Sequence, residues 1–299
     1  AFLAPVQADV EGVGRIQVMT AVNDRAMELY QRQGDLSNLP ADSLARRARL
    51  LMAMGEDDIA QNALDPAWNK FAEANRTTET LVEREPDNAD YVFAHAQSNF
   101  WLGRVRFSQN RVDDVRRYWT RYHQLAQQLA RIDHDRGRAM REVGFAEGNF
   151  CTLGLMERRD MPATVARCRA SLAAMRRVKA LHSTEQSATI DVINRLGWLS
   201  EALVRNDQID EALAVQSESL ATARTLHMAD PDNADYLDLL ASSHLTLAKI
   251  EQRAGQMAEA RTSFGHARDL LAELVRRDPR NDRWRGLHTQ AADGARALH

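Results

Sequence analysis

Three sets of positions climb this chain in the same steps, and no other feature constrains its folding so tightly. Small or hydroxyl-bearing residues stand at Gly55, Gly103, Thr152, Ser200 and Ala248, separated by 48, 49, 48 and 48 residues. Ala67, Val115, Thr164, Ala212 and Ala260 keep the same separations, and so do Phe71, Trp119, Cys168, Gln216 and Phe264. The loop segments Pro86-Asp87-Asn88, Pro231-Asp232-Asn233 and Pro279-Arg280-Asn281 hold the same offsets. Self-similarity at a fixed spacing is the mark of a repeat array, in which one supersecondary unit is copied and stacked. The clearest copy runs from Pro231 to Asp278, two amphipathic helical stretches around a break at Gly255-Gln256.

The residue types follow from packing two antiparallel helices. Axes approach closely only where side chains are small, which suits Gly, Ala, Ser and Thr to the crossing point. A bulky residue further on fills the space between units, as Phe71, Trp119 and Phe264 would. Pro66 and Pro162 fall in the first turn of second helices, where a missing N–H is harmless. Asn88, Asn233 and Asn281 stand where the next helix needs an N-cap. Before the array, a first helix is expected over Val10 to Gln33. It breaks at residues 34–40, after which Asp42 or Ser43 is placed to cap.

Composition supports an all-helical chain. Hydrophobic residues make up 44% and charged residues 27%, enough for a core and no case for disorder. Gly and Pro number only 14 and 7. A net charge of −3 offers no bulk attraction to nucleic acid or an anionic membrane. Basic clusters such as Arg136-Gly137-Arg138 and Arg276-Arg277 are offset by nearby acids, so no nucleic-acid stripe is expected. No apolar run approaches the roughly 18 residues that span a bilayer. The chain opens Ala1-Phe2-Leu3 without a Met, so its upstream context is expected to be missing, and any membrane attachment would come from there.

The pattern of a small residue, a turn about seven residues on, then Ala, an aromatic and another Ala resembles the tetratricopeptide repeat. Ala67-Phe71-Ala74 and Ala260-Phe264-Ala267 match its second-helix signature, and Leu102-Gly103 its first-helix pair. The family's period is 34 residues, so this chain resembles a long-period, about 48-residue bacterial variant in which both helices of each unit are longer. The resemblance implies an all-α fold, an α-solenoid of helix–turn–helix repeats forming a right-handed superhelix. Residues 1–40 would be an N-terminal helix and linker, 41–278 five helical hairpins, and 279–299 a C-terminal capping helix. A looser likeness, carried by Glu11-Gly12-Val13-Gly14-Arg15 ahead of a helix, is to repeat regions that follow a transmembrane helix in bacterial signalling proteins. It implies an extracytoplasmic sensor or assembly region, as the alternative to a cytoplasmic one.

By register, the resemblance implies a concave groove lined by the first helix of each unit. Its residues would be Arg49, Met52 and Glu56, then Gln97, Phe100, Arg104 and Phe107, then Asn149, Leu153 and Met156. Asn194, Glu201 and Arg205, then Leu245, Lys249 and Arg253, would continue it. Such a surface is apolar in its N-terminal half and more basic towards its C-terminal half, fitting a peptide with an apolar segment and an acidic end. Ordinary solvated side chains are the competing reading. The Lys/Asn set of the family's clamp for two-carboxylate chaperone tails is not present in this register.

Other candidates carry less. Trp101, Phe150 and Trp198 form a ladder expected to pack in the core, with stacking on a ligand as the alternative. Cys151 and Cys168 sit at core positions of one unit, where a buried reduced pair is expected; a disulfide, suited to an oxidising compartment, is the alternative. Asp133-His134-Asp135 is the one compact titratable group and reads as a polar turn. The nine His show no i,i+4 pair, and nucleophile-elbow, phosphate-loop and dinucleotide motifs are all missing. No metal, no cofactor and no catalysis are therefore expected. The leading expectation is a non-enzymatic scaffold binding a peptide or protein, and the alternative an oligomerisation or sensory domain of a larger signalling protein.

Overall fold

The computed structural model describes residues 34–298, together with Arg25, Met27, Glu28 and Arg32. The expected first helix and the Glu11–Arg15 likeness lie almost wholly outside them. All regular structure among the described residues is helical: α1 (Ala41–Ala60), α2 (Leu64–Arg84), α3 (Ala89–Ser108), α4 (Val112–Ile132), α5 (Arg136–Glu157), α6 (Met161–Leu181), α7 (Gln186–Arg205), α8 (Ile209–Ala229), α9 (Ala234–Arg253), α10 (Met257–Arg277) and α11 (Asp282–Ala297). The chain divides into two units, residues 1–133 and 134–299. In the first, α1 pairs with α2 and α3 with α4, and α2 packs on α3. In the second, α5–α6, α7–α8 and α9–α10 pair in the same way, stack in order, and are closed by α11 against α10. First helices also touch within each unit, α1 with α3 and α7 with both α5 and α9.

The hairpins close on small residues. A methyl group added at Gly55 would stand 2.6 Å from the Phe71 ring, and one at Gly103 would stand 2.2 Å from Trp119. Between α7 and α8 the same two places hold Ser200 and Gln216, joined by a 2.9 Å hydrogen bond from the hydroxyl to the side-chain carbonyl. The hairpin of α5 and α6 departs from the register. There Cys151, one residue before Thr152, meets Cys168, and Gly154 makes the close approach to Thr164. The two sulfurs are bonded. The buried reduced pair expected for Cys151 and Cys168 is thus corrected to its alternative, a disulfide between the same two neighbours.

The five turns share a conformation that the sequence pattern did not announce. Asn62, Asn110, Asp207 and Gly255 each hold a positive φ, and the third turn does so at Arg158 and Asp160. Asn, Asp and Gly tolerate this left-handed region, whereas Arg is strained there by its Cβ. Between hairpins, the Asn88, Asn233 and Asn281 side chains accept backbone N–H groups of the following helices, and Asp135 caps α5 likewise. Asp42 and Ser43 do not cap α1. That helix begins at Ala41 after Pro40, so Asp42 lies inside the first turn, where its charge meets the positive end of the helix dipole. Arg84 reaches back from the end of α2 and donates to the carbonyls of Leu36, Ser37 and Leu39, pinning the segment before α1.

The cores differ in kind. In the first unit Phe71 stacks on Trp101 at 5.3 Å between ring centres, and Phe107 on Trp119 at 5.4 Å. Two ion pairs join α1 to α2: Arg47 with Glu73, and Lys70 with Asp58 at 2.5 Å, all four side chains at least four-fifths buried. In the second unit the disulfide lies in an aliphatic cluster with Leu172, Met175, Leu196, Leu199 and Leu203. A further cluster of Leu237, Leu245, Leu271, Leu274 and Ala291 holds α9, α10 and α11 together.

Candidate functional site

A cavity lies beside first helices in each unit. In the C-terminal unit a cavity of about 600 Å³ opens between α7 and α9 with α8 beneath. Gln216 lies in its floor, at the position filled by the Phe264 ring in the hairpin that follows. Its amide donates to the Ser243 carbonyl at 2.9 Å while its carbonyl accepts from Ser200, so three helices are tied through one side chain. Trp198 forms a wall, with the Arg195 guanidinium 4.2 Å from its ring centre. Ser242 contributes a buried hydroxyl that has no hydrogen-bond partner.

The rim is charged. Glu201, Arg205, Lys249 and Arg253 all line this cavity, as does Asn194. Arg205 is held from two sides, donating to the Leu155 carbonyl and to the Glu201 carboxylate. Arg253 pairs with Asp207 at 2.9 Å. Lys249 instead donates to a neutral group, the Gln290 amide oxygen at 3.0 Å. Partial loss of water pulls its ammonium below the usual lysine range, and Glu201 opposes that shift. Three cations against one carboxylate leave the rim net positive.

In the N-terminal unit a groove of about 610 Å³ runs along α1 and the first half of α3. Arg49, Met52, Glu56 and Gln97 line it, joined by Tyr91, Phe93 and the acids Asp42 and Asp90. These last four lay outside the expected set. The effect of the two acids is felt by Tyr91, whose hydroxyl is pushed above its usual range by burial and by Glu85, Asp42 and Asp90. Partial burial also raises the Glu56 carboxyl, against a hydrogen bond with Trp101.

The remaining residues of the expected groove line neither cavity. Phe107 is stacked on Trp119, and Phe100 packs against Trp101 and Tyr122 at 5.2 and 5.7 Å; both rings are half-buried and gain from these ring contacts. Arg104 is exposed with its guanidinium 5.9 Å from the Phe107 ring centre. Asn149, Leu153 and Leu245 are buried, and Met156 is half-buried. Of the aromatic ladder, Trp101 is half-buried against the Phe71 cluster, Phe150 lies under the Arg167 guanidinium, and Trp198 packs on a core cluster and forms the cavity wall.

Paired helices closing on small residues, stacked so that first helices line a cavity, define a tetratricopeptide-like helical-repeat protein. Solved structures with this architecture align over most of the chain. BtubC (BKLC) from P. vanneervenii is 15% identical, covering 88% of this chain and 93% of its own, with a TM-score of 0.58. The S. pombe nuclear import adaptor Nro1 is 18% identical over 89% and 86%, with a TM-score of 0.52. The TPR-like repeats of a putative kinesin light chain from Podosopora anserina are 15% identical over 78% and 97%, with a TM-score of 0.51. At these identities the likeness is one of fold. No protein-family model and no curated protein matches the chain.

Proposed function

We propose that the chain is a non-enzymatic interaction scaffold that takes a peptide or protein segment in the C-terminal cavity. The observation that carries this reading is the convergence of Asn194, Glu201, Arg205, Lys249 and Arg253, drawn from two hairpins, on one opening with an aromatic wall. An apolar side chain against Trp198 with a carboxylate beside Lys249 would match both the wall and the net positive rim. The Nro1 adaptor, whose fold this chain shares, is described as a nuclear import adaptor, which supports the scaffold reading at the level of class alone.

The test is selection from a random-peptide display library on the parent chain and on a Lys249→Glu/Arg253→Glu variant whose helicity is unchanged by circular dichroism. A consensus with an acidic residue beside an apolar one, enriched on the parent and lost on the variant, is expected. Failure to enrich any consensus, or equal enrichment on both, rejects the cavity as the binding site.

A further inference from the structure

Lys249 is set apart from the other cations of the C-terminal cavity by what holds it. Arg205 is tied to the Glu201 carboxylate and the Leu155 carbonyl, and Arg253 to Asp207. The Lys249 ammonium donates to the neutral Gln290 amide oxygen of α11 at 3.0 Å, and among the described residues no carboxylate forms an ion pair with it. From this placement we propose that Lys249 is a modification site, its amine taking the acyl group of an acyl phosphate that enters the cavity.

An amine attacks a carbonyl carbon only in its neutral form, which loss of water favours and a nearby carboxylate opposes. At Lys249 the partial loss of water prevails over Glu201 and draws the ammonium below the usual lysine range. The side chain remains exposed, so a reagent in the opening can reach it. An acyl phosphate carries its negative charge on the leaving group, and the net positive rim attracts that end. Arg253 lies one turn along α9 from Lys249, about 6 Å at 1.5 Å per residue, and Arg205 lines the same opening. Guanidinium groups suit phosphate oxygens, so the phosphate is drawn to the arginines and the acyl carbon is left beside the amine. Inside the cavity the buried Ser242 hydroxyl has no partner, a donor left for a ligand oxygen.

The nitrogen lone pair forms a C–N bond to the acyl carbon, and the C–O bond to phosphate breaks. Phosphate leaves with that electron pair, and the proton lost from nitrogen passes to it or to water. The products are a neutral amide and inorganic phosphate, and nothing is oxidised or reduced. Two cations then stand against one carboxylate at the rim, so acylation lowers the attraction for an acidic segment. That consequence rests on the docking function proposed above; the acylation itself does not.

Only three lysine side chains compete for the reagent. Lys70 is buried and paired with Asp58 at 2.5 Å, and Lys179 is half-buried in the last turn of α6 and lines neither cavity. The full chain is incubated with acetyl phosphate, and acetylation of each lysine is followed in time by peptide mapping and mass spectrometry. Lys249 should react about threefold or more faster than Lys179, with Lys70 the slowest. An Arg205→Gln/Arg253→Gln variant of unchanged helicity should slow Lys249 about threefold and leave Lys179 as it was. With p-nitrophenyl acetate, an uncharged donor, the same variant should lose less. A Lys249 rate no higher than that of Lys179, or one that the arginine variant leaves unchanged, would overturn the proposal. So would an equal loss with both donors, since the rim would then act without recognising phosphate. A fluorescein-labelled peptide of alternating Leu and Glu should bind the acetylated chain about threefold more weakly than the parent. If the parent does not hold that peptide, the docking function fails while the rate comparison still decides the modification site.

Discussion

At equivalent positions of their hairpins the N-terminal unit carries Phe71 and Trp119, while the C-terminal unit carries Cys168, Gln216 and Phe264. The rings fill the space between helices by area and are completed by buried ion pairs, Arg47 with Glu73 and Lys70 with Asp58. The C-terminal unit replaces that filling with a covalent bond in one hairpin and a hydrogen-bonded amide in the next. An aromatic side chain holds helices together without direction, whereas Gln216 must be satisfied at both ends and thereby fixes where Ser200 and Ser243 lie. The same scaffold thus yields a tightly filled unit with an acidic groove and a polar-floored unit with a basic one.

The sharpest way to break this comparison is to truncate both members of an equivalent pair. Phe71→Ala should destabilise the first unit by about 3–5 kcal/mol, as expected for removing a fully buried ring. Gln216→Ala should destabilise the second by about 1–3 kcal/mol, since it removes the two buried hydrogen bonds that tie α7 and α9 to α8. Urea unfolding followed in each unit by hydrogen exchange separates the two. A larger loss from Gln216→Ala would show that the amide link, and not ring burial, is the stronger device.

The disulfide closes a short loop, its ends 17 positions apart in the sequence. A Cys151→Ala/Cys168→Ala variant should lose about 3 kcal/mol, confined to the second unit. Exchange rates in α1–α4 that rise as much as those in α5–α11 would contradict the division into two units.

Acid should weaken both units through one histidine each. His95, in the first, is held down to about 4 by burial and by Arg121; His244, in the second, to about 4 by burial, then His266 and Arg224. Both folded values lie below the ordinary 6.5, so the unfolded chain binds protons that the folded chain refuses. The stabilisation is complete above about pH 6.5 and is lost as pH falls towards 4. His95→Gln and His244→Gln should each flatten the fall in stability between about pH 7 and pH 5. An NMR titration showing either ring protonating near pH 6.5 would refute the assignment.

The smallest effect concerns the turns. Arg158 holds φ 54°, a region that its counterparts occupy with Asn, Asp or Gly. Arg158→Gly should stabilise the C-terminal unit by about 0.5 kcal/mol, whereas Asn110→Gly in the first should change little. A shift in the thermal midpoint for Asn110→Gly matching that for Arg158→Gly would remove the strain argument.

Asn88, Asn233 and Asn281 could be recognised as caps because capping joins residues two or three apart, and Gly55 and Gly103 as crossing points because helical periodicity is local. The ring contacts of the half-buried Phe100 and Phe107 could not be assigned in that way. The two residues share a helix with Gln97 and Arg104, and whether a side chain on that helix meets α4 or solvent depends on the crossing angle between helices. Asp42 and Asp90 are 48 residues apart and come together only because α1 and α3 lie side by side.

The sequence by itself determined that this chain is an array of helical hairpins, because helix formation, capping and small-residue crossings depend on neighbours within a few turns. Only the tertiary structure decided that Cys151 rather than Thr152 faces Cys168, that Arg205 is held by Leu155 and Glu201, and that two cavities of opposite charge result. Each of these rests on the rotation and spacing of one helix against another, which a change of one residue in register alters and which no local pattern encodes.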